Sequence, residues 1–203
     1  MNSKRYVCLR QSIKDKDSGQ VEWTFGLFWV LILAIVMYTN LQLASWQSAS
    51  MYMEDALAAS NLASALIDLE EYGKTHKMII RDCEKAYEVY CGALKENLSL
   101  DESGECGNKE LFVGPVEIVD YIVYNVEGNL VEIVQVGNDG KILQKTSGVK
   151  GNVTSPDGSV IESTGVYSRL KFAVKGFPGI NIEAQKGKLA DIVPQGGEEN
   201  ENR

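Results

Sequence analysis

Residues Trp23 to Tyr38 read WTFGLFWVLILAIVMY, and no other part of the chain is so continuously apolar. The run carries no charge, and after Glu22 the next charged residue is Glu54. Thr39 to Ala44 (TNLQLA) extends it with mildly polar residues. As a helix, the extended stretch covers roughly 33 Å, against a hydrocarbon layer of roughly 30 Å. The competing reading is a buried helix of a water-soluble domain, but such helices rarely carry bulky apolar side chains all round. Lipid also enforces backbone hydrogen bonding within the segment, which offsets the modest helix propensity of Val, Ile and Phe. Trp23 at one end and Tyr38 and Trp46 near the other match an interfacial aromatic belt. The residues thus predict a transmembrane helix over 20–44 and membrane lipid as a partner.

The flanks give this segment a direction. Residues 1–19 hold Lys4, Arg5, Arg10, Lys14 and Lys16 against Asp15 and Asp17, in a chain of net charge -8. A basic leader predicts a cytoplasmic N-terminus and an extracytoplasmic C-terminal part of a single-pass protein in the cytoplasmic membrane. The acidic balance argues against nucleic acid as a partner. A secretory signal peptide is the other reading of the same head. Its apolar core needs only about 7–15 residues, and the nearest small-residue cleavage candidates are Leu43-Ala44-Ser45 and Ser48-Ala49-Ser50.

A glycine closes the basic leader, and one glutamate precedes the apolar run: Ser18-Gly19-Gln20-Val21-Glu22-Trp23. On physical grounds alone, Glu22 is an acid favoured by the dipole of a helix N-terminus. The whole constellation resembles a type IV pilin-like precursor, most nearly the TadE-like pseudopilins of tight-adherence pili. The resemblance covers roughly the first 70 residues. It implies that a prepilin peptidase cuts after Gly19 and leaves Gln20 as the new first residue. It implies that Glu22 registers neighbouring subunits while the apolar helix first anchors the subunit and then packs into a filament core. Other pilin-like subunits and the peptidase are the implied partners, in a homo- or hetero-oligomer. The family places its glutamate five residues after the glycine, whereas Glu22 is third after Gly19.

Beyond the membrane segment, residues 45–110 read as an extracytoplasmic helical region. Thr39 to Tyr72 contains neither proline nor glycine, so one helix is expected from Glu22 to Tyr72, about 75 Å long. Ala56, Ala59, Leu62, Leu66 and Leu69 recur at helical spacing and predict its apolar stripe. Gly73 is the expected C-cap. A second, amphipathic helix is expected over Thr75 to Leu98, burying Ile79, Cys83, Ala86, Tyr87, Tyr90, Cys91 and Leu94. His76, the only histidine, reads as a surface residue at its start.

Cys8 lies in the leader. Cys83 and Cys91 are about 12 Å apart along a helix, too far to bridge. Cys106, in the loop DESGECGNKE, leads to three alternatives: a Cys91–Cys106 disulfide first, Cys83–Cys106 second, or three free thiols. The absence of any CxxC pair argues against zinc or redox chemistry.

Residues 111–193 switch to strand-like patterns. Glu117 to Val126, Leu130 to Val136, Lys141 to Thr146, Val166 to Val174 and Ile180 to Val193 predict about five antiparallel strands, the last bulged at Gly187. Asn138-Asp139-Gly140 and Pro156-Asp157-Gly158 mark tight turns, and Phe177-Pro178-Gly179 turns the chain before the last strand. Val166, Leu170, Phe172 and Val174 fall on one face. The fold class is therefore α+β, a long transmembrane helix and a second amphipathic helix ahead of an antiparallel sheet. Residues 194–203 (PQGGEENENR, after Val193) form an expected disordered acidic tail.

Nothing in the chain has the pattern of an active site. There is no GxSxG, HExxH, P-loop or dinucleotide-binding glycine pattern. The acids are scattered over solvated faces, so no pair of them is singled out as acid and base. The reading is a non-enzymatic protein with no cofactor: a pilin-like structural subunit or, alternatively, an anchored binding domain outside any filament.

Overall fold

The computed structural model describes residues 3–176 and 180–192. Helix α1 runs Ser3–Ser64, α2 Leu69–Thr75 and α3 Cys83–Asn97. Strands β1 (Phe112–Glu127), β2 (Leu130–Val136), β3 (Ile142–Val149), β4 (Gly165–Lys175) and β5 (Asn181–Asp191) form one antiparallel sheet in the order β3-β2-β1-β4-β5. The class is α+β, as the sequence predicts. The chain divides between Ser45 and Trp46 into two compact units. The first is the apolar part of α1. The second holds everything from Trp46 onward, including the last turns of α1.

Expected and observed helix boundaries differ, and the differences at Ser64 and Cys83 have identifiable causes. One helix was expected to reach Tyr72, but α1 stops at Ser64. There the Ser64 hydroxyl donates to the Asn61 carbonyl at 2.8 Å, and Ala65 N–H tightens onto Leu62 at 3.2 Å. Asp68 then starts a new helix, its carboxylate accepting from the N–H groups of Glu70 and Glu71 at 3.0 Å each. Such capping satisfies donors that a helix leaves open at its N-terminus. Gly73, the expected C-cap, lies inside α2, and His76 takes the left-handed cap position at φ 58°. His76 is exposed, as its sequence position suggests.

The second long helix starts at Cys83 rather than Thr75. Asp82 caps it, accepting from Lys85 N–H at 2.9 Å. The residues before it are held extended by Asn125 of β1. Its side chain accepts from Ile80 N–H at 2.8 Å and donates to the Ile80 carbonyl at 3.0 Å, as a neighbouring strand would. These bonds hold residue 80 in the extended state that helical periodicity alone does not anticipate. The predicted buried face of α3 survives: Cys83, Ala86, Tyr87, Tyr90 and Leu94 are buried, with Cys91 half-buried beside them.

The sheet is covered on both sides. On one face, α3 and the last turns of α1 meet Tyr121, Val123, Val134, Val136, Val166, Leu170, Phe172 and Val174. On the other, residues 150–164 fold back so that Ile161 packs with Ile122, Tyr124, Val131 and Tyr167. The Thr164 hydroxyl fastens this layer, donating to Met78 O at 2.7 Å and accepting from Val126 N–H at 3.0 Å. The bulge expected at Gly187 is absent, because β4 and β5 pair without a register shift. A Cβ at Gly187 would lie 2.2 Å from the Tyr167 hydroxyl, so this glycine is a notch for a crossing ring. The irregularities fall in β1 at Val113/Glu117 and Ile118/Asp120, and where β2 meets β3 at Gln135/Val136. The turn at Phe177-Pro178-Gly179, the end of the last predicted strand at Val193 and the tail 194–203 lie outside the described residues.

The face of α1 that enters the core shares only Ala56 with the predicted stripe, whose Leu66 and Leu69 lie beyond the end of α1. Ala49, Met53, Ala56, Leu57, Ser60, Asn61 and Ser64 are buried, whereas Ala59, Leu62, Leu66 and Leu69 are exposed. The buried stripe is mixed apolar and polar, so a search for aliphatic periodicity selects the wrong side. This assignment is testable by urea unfolding of the full-length protein in detergent micelles. Leu57, fully buried, should lose about 2–5 kcal/mol of stability on Leu57→Ala. Leu62, which is 64% exposed, should lose no more than about 0.5 kcal/mol on Leu62→Ala. The reverse order would place the core on the other side of the helix.

Candidate functional site

Two adjoining stretches of α1 have opposite chemistry, and the candidate site is the first of them. From Trp23 to Leu43 thirteen large apolar side chains stand exposed, Trp23 at 74%. Glu22–Ser64 is long and apolar enough to cross a membrane, and none of its most apolar window is buried. Polar side chains within the stretch turn one donor each back onto the helix. Thr39 Oγ1 and Asn40 Nδ2 donate to the Val36 carbonyl at 2.9 and 2.7 Å, and Gln42 Nε2 donates to the Tyr38 hydroxyl at 3.3 Å. Back-bonding of this kind removes unsatisfied donors from the helix surface, which hydrocarbon demands. By composition these residues are only mildly polar; their i to i−3 and i−4 spacing to Val36 and Tyr38 is the readable signal of the back-bonding. Phe25 and Trp29 meet edge-on at 6.3 Å.

Gly19, Gln20 and Glu22 all lie within α1. Glu22 is exposed, immediately ahead of the apolar surface. A Cβ at Gly26 would meet nothing, so this glycine leaves an open notch on the helix side.

From Ala49 onward the helix is fastened to the sheet by a polar seam. The Glu54 carboxylate accepts from Lys186 and Lys188 of β5 at 2.9 and 2.7 Å. Asn61 Nδ2 donates to the Lys188 carbonyl at 2.7 Å, and Asn61 Oδ1 accepts from the Ser168 hydroxyl at 2.6 Å. Asn97 Nδ2 of α3 donates to the Ser60 hydroxyl at 3.0 Å. Hydrogen bonds from its two lysines hold the Glu54 carboxyl down at about 2. Beneath the seam, Tyr87, Tyr90 and Tyr121 pack ring on ring at 4.9–6.2 Å, and burial pushes all three phenols upward. They are core groups with no titration near neutrality.

Cys83, Cys91 and Cys106 are free thiols, so the first-choice Cys91–Cys106 bridge is not formed. Cys106 Sγ instead contacts the Leu98 carbonyl at 3.3 Å, and Cys83 Sγ contacts Ile80 O at 3.6 Å. Burial raises all three thiols, Cys83 to about 11. Thiols held protonated are poor nucleophiles and poor metal ligands. No group of His, Cys, Asp and Glu suited to a metal ion occurs among the described residues. No protein family, curated protein or solved structure matches the chain.

Two measurements follow. Glu54 has a lowered folded-state pKa, so its contribution to stability is present above its ordinary value of 4.5 and is lost as pH falls toward about 2. The stability difference between wild type and Glu54→Gln should therefore be constant from neutrality to pH 5 and shrink below it in acid denaturation series; a pH-independent difference would remove the ion pairs from the account. For the thiols, alkylation without reductant should leave Cys83 and Cys106 unlabelled in the folded protein. After unfolding, mass spectrometry should find every cysteine labelled. A persistent mass loss of two hydrogens would restore the bridge.

Proposed function

We propose that this chain is a membrane-anchored, pilin-like structural subunit of the TadE-like pseudopilin kind, working in a type IV or Tad-type pilus or secretion apparatus. One observation carries the reading. A single helix first presents a bare hydrocarbon surface and then, within two turns, becomes part of its own domain's core. A helix built this way suits a subunit that is stored in lipid and later exchanges lipid for the helices of its neighbours. Lipid helices associate through packing, and Gly26 with the Ala and Ser residues further along α1 allows close approach.

In this reading residues 1–19 are cytoplasmic, the helix crosses the cytoplasmic membrane once, and the α+β domain is extracytoplasmic. Prepilin peptidase removes the leader after Gly19, and Glu22 registers one subunit against the next. The role is structural rather than catalytic. The second reading is an anchored extracytoplasmic binding domain that never enters a filament. The shortened spacing from Gly19 to Glu22 favours it, because a peptidase site and a registering acid both depend on position.

N-terminal sequencing of the membrane-extracted protein separates the two. A start at Gln20 that is lost in Gly19→Ala supports the subunit; an intact Met1 supports the anchored domain; a start beyond Ala44 removes both. In the subunit reading, Glu22→Leu inserts into membranes normally while assembly of filaments falls. Unchanged assembly would deny Glu22 its registering role.

A further inference from the structure

The two edges of the sheet are treated differently. At the β5 edge, Asn61 of α1 already donates to the Lys188 carbonyl, and Glu54 holds the two lysines of that strand. At the β3 edge nothing comparable occurs. Among the described residues, no hydrogen bond outside the β2–β3 ladder reaches the backbone of residues 142–148. All seven side chains of β3 are exposed, with Ile142, Leu143 and Val149 among them and Leu130 of β2 alongside. From Gln144 to Val149 the strand is regular and lacks proline. A regular, partly apolar edge with free backbone groups is a template for another strand.

Beside it runs an open groove of about 420 Å³, lined by Ile79, Asn125, Glu132, Lys145 and Ser147 among others. Lys145 and Ser147 are β3 residues, so alternate side chains of a strand added at this edge point toward the groove.

Charge selects the occupant. Residues 141–150 (KILQKTSGVK) hold three lysines and no acid, in a chain of net charge -8. Glu132 answers Lys145 at 2.7 Å, and Lys77 answers Glu127 at the groove rim at 3.4 Å. Lys141 and Lys150, at the two ends of the edge, have no salt bridge among the described residues. A second copy of β3 is a poor partner, because antiparallel pairing about the strand centre sets Lys141 of one copy opposite Lys150 of the other. Like charges directly opposed destabilise a strand pair.

We propose that β3 accepts an extended segment of a partner protein as a sixth strand, one that alternates apolar residues with acids. The main chain supplies affinity and the flanking lysines supply selectivity. This holds whether or not α1 enters a filament.

The test uses full-length protein in detergent micelles and two eight-residue probe peptides, one alternating valine with glutamate and one valine with lysine. At about ten times its Kd, the glutamate peptide should slow amide exchange across residues 142–149 about tenfold, measured by mass spectrometry. The lysine peptide should not. Replacing both Lys141→Glu and Lys150→Glu, on a solvent-exposed edge, should reverse the preference with an unchanged circular dichroism spectrum. Equal slowing by both peptides, slowing confined to residues 181–191, or none with either peptide overturns the proposal.

Discussion

Hydrocarbon that has nowhere to go is the constraint on which the rest depends. Thirteen large apolar side chains between Trp23 and Leu43 remain uncovered by the chain's own fold. Taking such a side chain fully out of water is worth about 1.5–3 kcal/mol, so the surface has a strong preference for an apolar cover. This surface is long and apolar enough to be covered by a bilayer or by the apolar flanks of other helices. Thr39, Asn40 and Gln42 each place one side-chain donor on the helix itself, which lowers the polarity of that surface.

The seam beyond Ala49 solves the opposite problem. A helix that leaves lipid must change from an all-round apolar surface to a one-sided one. The change is abrupt: small residues Ala49, Ala56 and Ser60 bring the helix close to the sheet, and Met53 and Leu57 fill the space between. Asn61 and Ser168 then satisfy each other in the buried layer, where an unpartnered amide or hydroxyl would cost about 1–3 kcal/mol. Glu54 fixes the lateral position, because its two lysines are successive residues on one face of β5.

Much of this was legible in the residues and some of it was not. The apolar run, the α3 face and the strand series follow from local pattern. The turn glycines Gly140 and Gly158 both adopt positive φ at the predicted corners. Errors arose where a distant partner decides. Asn125 holds residue 80 extended from 45 residues away, and no helical periodicity encodes that. The buried stripe of α1 includes Ser60, Asn61 and Ser64, which an aliphatic search discards. Asp68 followed by Glu70 and Glu71 was a readable capping signal, masked because no proline or glycine interrupts Thr39 to Tyr72. For the candidate site, the apolar surface was evident at once. The roles of Gly19, Gln20 and Glu22 rest on resemblance, and their chemistry is not visible in a helix considered alone.

The bond between Asn61 and the Lys188 carbonyl spans 127 residues, and this has a consequence for biogenesis. At a synthesis rate of about 5–20 residues per second, α1 waits about 6–25 s for the strand that completes its docking surface. During that interval Met53 and Leu57 lack their final cover, while the span just before them is ready for insertion. The timetable orders the events: the apolar part of the helix is complete long before the sheet, which closes over the remainder only when the last strand emerges. Premature release from the ribosome before β5 would yield a chain correctly lodged yet unable to finish its fold, a natural substrate for quality-control proteases.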